Sequence, residues 1–321
     1  MDSFANLTIL SQNVHKSGKT TKNLLEQHAN SCDILFTQES FFSHIRKTTS
    51  VTSEEGDDVS GPPIHVAWQV IHFYGKHPNT QVCTYVNQRL LTELQISTDA
   101  NLNTNQNVLI FALTGKLGGQ SASFANIYNP PKTKDIAVKA LLQLMPRVTN
   151  LRVLVGDFNV RSMDWEPSYP RSHELTSDIL AACTLQSLTL VNNDGEPTWH
   201  HNRWGGSVLD LLFVSNTWLQ HGNVVFENDS VNRGTSDHSI LRLWLGHRVE
   251  HAGTCYIPKE SGEEEAFVSR VQKALITAAS APLSCIQDTF DRLYNSFNES
   301  WTANAKTAKA GSNPTHVMTS T

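Results

Sequence analysis

Positive charge is scarce in this chain. Its 25 Lys and Arg stand against 30 Asp and Glu, giving a net charge of −5, and only 17% of the 321 residues are charged. That balance excludes a protein that wraps a polyanion over a broad basic face. Any such contact has to be local and helped by another source of positive charge. Cysteine offers no staple either. Cys32, Cys83, Cys183, Cys255 and Cys285 are scattered, odd in number, and form no C-x-x-C pair. They read as small buried hydrophobes in a reducing compartment. No run approaches the ~18 apolar residues of a membrane span. Asp2 follows Met1 and the first apolar run is short, unlike a secretory leader. An intracellular protein with no membrane partner is expected.

What the chain does have is apolar content for a large core, 39% of its residues. Leu7 to Val14 reads as a strand, Lys22 to Ala29 as a helix with Leu24, Leu25 and His28 on one face, and Asp33 to Thr37 as a short apolar strand. Ser43 to Pro63 is polar and ends in Gly61-Pro62-Pro63, the mark of an exposed, mobile loop. Strands are expected at Val82 to Val86, Val108 to Leu113, Ser121 to Ile127 and Leu151 to Val155, then near Leu188, Thr198, Val208 to Val214, Val224 and Ile240 to Leu245. Helices are expected at Asp135 to Leu144 and Ser172 to Thr184. Strands joined by short turns with a few helices suggest two sheets packed face to face with helices outside. Composition shifts after about Leu245. The chain divides into a domain over 1–247, a linker over 248–261, a helical extension over 262–306 and a disordered tail over 307–321. Ser261 with Glu264 forms a capping box before Phe267, Val271 and Leu275. A second apolar stripe runs from Leu283 to Trp301.

Several strands end in polar residues: Asn13, Glu39, Tyr128 with Asn129, and Asp157 with Asn159. Asp210 lies in the strand after Gly205-Gly206, and Asp237-His238 precedes the last strand. Each residue alone has a plain structural reading as a turn former, a core aromatic or a satisfied histidine. As an ordered set they match the needs of phosphodiester hydrolysis, which are a divalent metal, a group that orients water, donors to phosphate oxygens, and carboxylates that position them. Glu39 suits Mg²⁺. Asp157 and Asn159, two apart on an extended segment, are expected to point the same way. His238 can donate to phosphate if Asp210 fixes its tautomer.

The stretches Gln12-Asn13-Val14, Gln38-Glu39, Asn126-Ile127-Tyr128-Asn129-Pro130, Gly156-Asp157-Phe158-Asn159, Leu209 to Val214 and Ser236-Asp237-His238 resemble, in order, the motifs of the deoxyribonuclease I-like endonuclease/exonuclease/phosphatase superfamily. The resemblance spans about residues 7 to 246. It implies an α/β fold, a four-layered sandwich of two mainly antiparallel sheets, with the site where both sheets converge. It also implies roles. Glu39 would be the principal Mg²⁺ ligand, with Asn13 beside it and Asp237 at the metal end, and Mn²⁺ would be a substitute. Tyr128 would contact the phosphate, Asp157 would orient the attacking water, and Asn159 would stabilise developing charge. Asp210 would pair with His238, which would bind the scissile phosphate. His15 stands where the apurinic endonucleases carry an Asp, which argues against abasic-site repair.

A narrower resemblance, on Asn13 to Ser17, Val82 to Asn87, Asn126 to Pro130 and Pro197 to Asp210, is to the endonuclease domains of fungal LINE-type non-LTR retrotransposons. It implies a DNA partner, nicking of one strand to leave 3′-hydroxyl and 5′-phosphate ends, and a nuclear location. Ser300-Trp301 and Asn304 to Thr307 look like the segment that joins such domains to a reverse transcriptase, which this chain lacks. In these relatives a hairpin probes the target DNA. Gly205-Gly206 suits its turn, Arg203 is placed to enter a groove, and Trp204 to stack on or wedge between bases. The competing reading is a solvent hairpin. Two rival functions stay open: the same chemistry on RNA or phospholipid, and a catalytically silent DNA-binding remnant.

Overall fold

A computed structural model describes residues 4, 6–47, 58–72, 80–116, 119–201, 205–221, 224–246, 255–256, 262–279 and 306–307. The chain divides into two compact units, Met1–His247 and Arg248–Thr321. The first unit runs β1 (Leu7–Asn13), α1 (Gly18–Gln27), β2 (Ile34–Gln38), β3 (Ser43–Lys47), β4 (Asp58–Gly61), β5 (Trp68–His72), β6 (Val82–Asn87), β7 (Leu94–Ser97), β8 (Val108–Gly115), β9 (Ser121–Tyr128), α2 (Ile136–Leu144), β10 (Leu151–Asp157), α3 (Thr176–Leu185), β11 (Leu188–Leu190), β12 (Trp199–His201), β13 (Gly205–Ser207), β14 (Asp210–Ser215), α4 (Asn216–His221), β15 (Val224–Asp229) and β16 (Ile240–Leu245).

Two six-stranded sheets form, in the orders β15-β16-β1-β2-β6-β5 and β11-β14-β10-β9-β8-β7. Each has one parallel pair at its centre, β1 with β2 and β9 with β10, and is otherwise antiparallel. Ile9, Phe36, Phe111, Phe124, Val155 and Leu243 pack in one cluster contributed by both sheets, with Phe111 and Phe124 stacked at 5.2 Å. Leu24 and Leu25 of α1 cover the outer face of the first sheet against Leu10, Leu35 and Tyr85. Val138 and Leu141 of α2 and Ile179 of α3 cover the second against Ile110, Leu154 and Phe213. The result is the expected four-layered α/β sandwich. Strands buried on both faces explain why β10 and β14 carry nearly unbroken apolar runs rather than alternation.

The parallel pairs position the site. Asn13 pairs with Gln38, and Tyr128 with Asp157, so four strands end at one edge. Antiparallel β14 and β16 begin at that edge, with Asp210 opposite Asp157 and Leu241 opposite Ser11. A buried polar girder holds the sheets in register just beneath it. Gln38 Nε2 donates to Asn126 Oδ1 at 2.7 Å and to Ser11 Oγ at 3.1 Å. Asn126 Nδ2 donates to the carbonyls of Thr37 and Cys83 at 3.2 and 3.0 Å. Gln38 and Asn126 have no solvent exposure. Asn126→Leu, similar in volume, strands these polar groups in the dry interface and is expected to cost about 3 kcal/mol. Urea unfolding at unchanged m-value checks this; a loss under about 1 kcal/mol removes the girder's importance.

The structure differs from expectation in several places. Ser43 to Pro63 is not simply loop: β3 pairs with β4, and Gly61, Pro62 and Pro63 are buried. Neither strand carries apolar alternation, so its pairing left no pattern to read. Helix α1 begins four residues earlier than expected, because Ser17 Oγ caps it by accepting from Thr20 N–H. Helix α3 begins at Thr176, not Ser172. Gly205 and Gly206 lie within the β12–β13 ladder rather than at its turn, opposite His201 and His200. A Cβ on Gly206 would sit 2.5 Å from Pro197 Cβ and 2.6 Å from the Trp199 carbonyl oxygen, so close approach, not turning, requires that glycine.

In the second unit, helix α5 (Gly262–Ala279) occupies the expected segment, with Phe267 and Val271 half-buried. Strand β17 (Cys255–Tyr256), expected to be linker, pairs with β18 (Lys306–Thr307), where the tail was expected to begin. The stripe from Leu283 to Trp301 lies outside the described residues. No helix among those described is long and apolar enough to cross a membrane. Cys32, Cys83 and Cys183 are free and buried, as small hydrophobes would be.

Candidate active site

Asn13, at the end of β1 and fully buried, ties the two sheets together. Its Nδ2 donates to Glu39 Oε1 at 3.1 Å and to Asp157 Oδ2 at 2.9 Å, while its Oδ1 accepts from His15 N–H at 2.9 Å. Glu39 follows β2 in the left-handed region, at φ 44°. The neighbouring loop holds it there, with Lys16 N–H donating to the Glu39 carbonyl at 2.8 Å. His15 and Lys16 are left-handed too, at φ 49° and 54°. Such residues cost about 1 kcal/mol each and persist only where surroundings impose them. Here that imposed turn re-aims Glu39 across the sheet edge toward Asn13.

His238 is clamped from three sides. Its Nδ1 bonds Asp210 Oδ2 at 2.8 Å. Its N–H donates to Ser236 Oγ at 3.0 Å, and its carbonyl accepts from Gln12 Nε2 at 3.0 Å. Nε2 then faces Asp157 Oδ2 at 3.9 Å and Asp237 Oδ1 at 4.0 Å. Burial alone pulls the imidazole's pKa down. Asp210, by charge and hydrogen bond, then Asp157 and Asp237 outweigh it and raise the pKa from 6.5 to about 9. Asp210→Asn removes the largest raising influence and leaves the burial. By NMR titration of the metal-free protein, the His238 pKa is expected to fall clearly below about 9; a variant still titrating near 9 means Asp210 is not the cause.

Asp157 is 1% exposed. Burial first, then the Asp210 charge, raises its pKa from 3.8 to about 7, against the opposing pull of His238, Asn13 Nδ2 and Asn159 N–H. Tyr128 has its phenol pKa raised by burial, then by the charge and hydrogen bond of Glu39, and by Asp157, so it stays a neutral donor. Asn159 is not on an extended segment with Asp157. It is left-handed at φ 48°, its N–H donates to Asp157 Oδ1 at 3.0 Å, and its Nδ2 to the Asn129 carbonyl at 2.9 Å. The turn, not strand alternation, puts both on the same cavity. Asp237 Oδ2 accepts from Trp199 Nε1 at 3.0 Å, leaving Oδ1 buried without a hydrogen-bond partner among the described residues.

These groups line one cavity of about 500 Å³ that holds Glu39, Asp157, Asn159, Asp237 and His238, with His15 at its edge. Asp210 stands behind His238. Tyr128 and Asn13 reach in through Glu39. Arg203 and Trp204 lie outside the described residues. Sequence reading missed the loop that also lines this cavity, with Arg161, Tyr169, Arg171, Ser172 and His173. Its signal was Trp165, a large aromatic inside an otherwise polar loop, which proves fully buried and anchors it.

Four carboxylates, of Glu39, Asp157, Asp210 and Asp237, face one imidazolium, so the site carries excess negative charge. The donors on the Glu39 side are all oxygens, and Asp237 Oδ1 is an orphaned acceptor. That set fits a hard divalent cation such as Mg²⁺ or Mn²⁺. A second geometry among the described residues is Asp157, Asp210 and His238, with ligand atoms within 4.8 Å of one another. It fits a metal less well, because protonated His238 already supplies its positive charge and has no lone pair to give.

The family described as endonuclease-reverse transcriptase matches residues 122–242. The fold is similar to the endonuclease domain of TRAS1, a telomere-specific non-LTR retrotransposon, at TM-score 0.57 and 15% identity, over 75% of this chain and 99% of that one. It is also similar to the 3′ phosphatase NExo from Neisseria, solved with product DNA hairpin, at TM-score 0.50 and 17% identity, over 74% and 98%. No curated protein sequence matches.

Proposed function

We propose that this protein is a Mg²⁺-dependent phosphodiesterase of the endonuclease/exonuclease/phosphatase superfamily that nicks one strand of DNA. One observation carries the reading: the imidazole Nε2 of His238 and the carboxyl group of Asp157 face each other at 3.9 Å in the cavity that also holds Glu39. The DNA substrate is supported by the matched family's description as an endonuclease and by the LINE-type segments of the sequence.

Glu39 and Asp237 would hold the metal, with Asn13 spacing the carboxylates. Bound there, Mg²⁺ supplies charge neutralisation at the phosphate and the leaving oxygen. Asp157, with a pKa near 7, is matched to accept a proton from the attacking water near neutral pH. His238 donates Nε2–H to a non-bridging phosphate oxygen while Asp210 holds its Nδ1 proton and its charge. Tyr128, kept neutral, is a further donor, and Asn159 places a second amide hydrogen near the developing charge. The ends left are 3′-hydroxyl and 5′-phosphate, as the superfamily resemblance implies.

The test is conversion of supercoiled plasmid to open circles by purified protein with Mg²⁺, run beside Glu39→Ala and an EDTA control. Wild type should nick and both controls should not. Folded wild type that leaves DNA intact with Mg²⁺ and with Mn²⁺ sinks the DNA reading, and the same preparations are then assayed on RNA and phospholipid.

A further inference from the structure

The cavity is lined by both acidic and cationic side chains. Arg161 and Arg171 come from the loop between β10 and α3 and line the same space as Asp157 and His238. Arginines this close to a carboxylate cluster would be expected to pair with it. Among the described residues neither side chain makes an ion pair or a hydrogen bond; the Arg161 guanidinium instead lies over the Tyr169 ring, 5.2 Å from its centroid. Stacking restrains the fork without using its N–H donors.

The loop that carries them is built in. Val160, Ser162 and Trp165 have no exposure. His173 N–H donates to the Arg161 carbonyl at 2.9 Å, Tyr169 N–H to the Glu166 carbonyl at 2.8 Å, and Gly195 N–H to the Trp165 carbonyl at 2.9 Å. Glu166 Oε2 accepts from Ser207 Oγ at 2.6 Å, fastening the loop to β13. A scissile phosphate alone is already served by His238, Tyr128 and the metal side. The geometry points to a second anion beside the first.

We infer that Arg161, steadied by Tyr169, and Arg171 form a clamp for backbone phosphate flanking the scissile bond, so that the site selects a DNA strand over isolated phosphoesters. This rests on the proposed phosphodiesterase reading and names what that site requires of its substrate. Tyr169 is a positioning residue, acting through Arg161.

The experiment measures binding of a fluorescent DNA oligonucleotide in Mg²⁺ across a salt series, with Asp157→Asn in every protein to prevent cleavage. Each lost phosphate contact should lower the slope of log K against log salt by about 0.9 on duplex, which is about eight-fold weaker binding at ~0.1 M salt. Arg161→Ala and Arg171→Ala should each do this, and the double variant about twice it in slope. Arg161→Lys should keep the slope and lose part of the affinity, Tyr169→Leu should weaken binding without changing it, and Tyr169→Phe should match the parent. In the otherwise unaltered chain, the arginine variants should raise KM for DNA by a larger factor than KM for bis(p-nitrophenyl) phosphate, which has no flanking phosphate. Unaltered slope and affinity in the double variant overturn the clamp. Wild type that hydrolyses neither substrate, with the slopes still falling, overturns the hydrolase reading and leaves the clamp standing.

Discussion

Glu39→Gln should reduce DNA nicking by about 10³-fold or more, equivalent to about 4 kcal/mol of transition-state stabilisation. The substitution changes one atom. Oε1 can still accept from Asn13 Nδ2, whose bond is 3.1 Å in the native site, and the left-handed turn at φ 44° is set by backbone contacts that remain. What disappears is one negative charge on the oxygen-rich side of the cavity, where the cation would sit. The variant should therefore bind Mg²⁺ more weakly by calorimetry. It should also lose the rise in Tm that millimolar Mg²⁺ gives wild type, since a ligand that binds only the folded state stabilises it. Its metal-free Tm should not fall, because relieving one of four crowded carboxylates offsets the lost hydrogen-bond strength. A variant that nicks within about ten-fold of wild type would mean that Glu39 is not the group that holds the metal.

Asp157→Asn should also remove activity, by about 10³-fold, the usual scale for a positioned base. Its effect on stability runs the other way with pH. Burial and the Asp210 charge raise the Asp157 pKa from 3.8 to about 7, so the folded state holds this proton more tightly than the unfolded state does. Stability of wild type contributed by this group is therefore greatest below pH 3.8 and is lost as pH rises through about 7. His238 reinforces the trend: its raised pKa contributes stability below 6.5 that is lost as pH rises through about 9. The variant has no charge to bury at position 157 and a weaker hold on the His238 proton. The Tm difference, variant minus wild type, should grow steadily from about pH 5 to about pH 8 in metal-free buffer. A flat difference would mean that Asp157 ionises in the native protein as it would in water, and its role as a tuned base would go with it.

Much of the site was legible because its residues sit at strand ends, and strand ends can be read. Asn13, Glu39, Tyr128 and Asp157 each close an apolar run, and in the fold two parallel pairs bring those four ends to one edge. Asp210 and His238 open the antiparallel neighbours of the same edge, and their 2.8 Å bond follows from that placement. The places where reading failed share a cause: the structure there is set by partners distant in sequence. Asn159 reaches the cavity through a left-handed turn held by Asn129, thirty residues away. Gly206 is required by Pro197 and Trp199 crowding it, not by a turn. Strand β4 forms only because β3 lies beside it. Arg161 follows the Asp157-Phe158-Asn159 run directly, yet nothing in its neighbourhood in the sequence says that Tyr169 will lie beneath it.

The sequence by itself determined the class of core, the order of strands and the identity of the acid, amide and imidazole groups, because apolar periodicity and residue chemistry are local properties. The tertiary structure alone decided their ionisation and their reach. The packing of three carboxylates around His238 outweighs the opposing pull of burial and raises its pKa to about 9. The same closeness keeps a proton on Asp157 toward neutral pH, and the fold of one anchored loop turns two arginines toward an acidic cavity. Charge state depends on distance and desolvation, and no linear order of residues contains either.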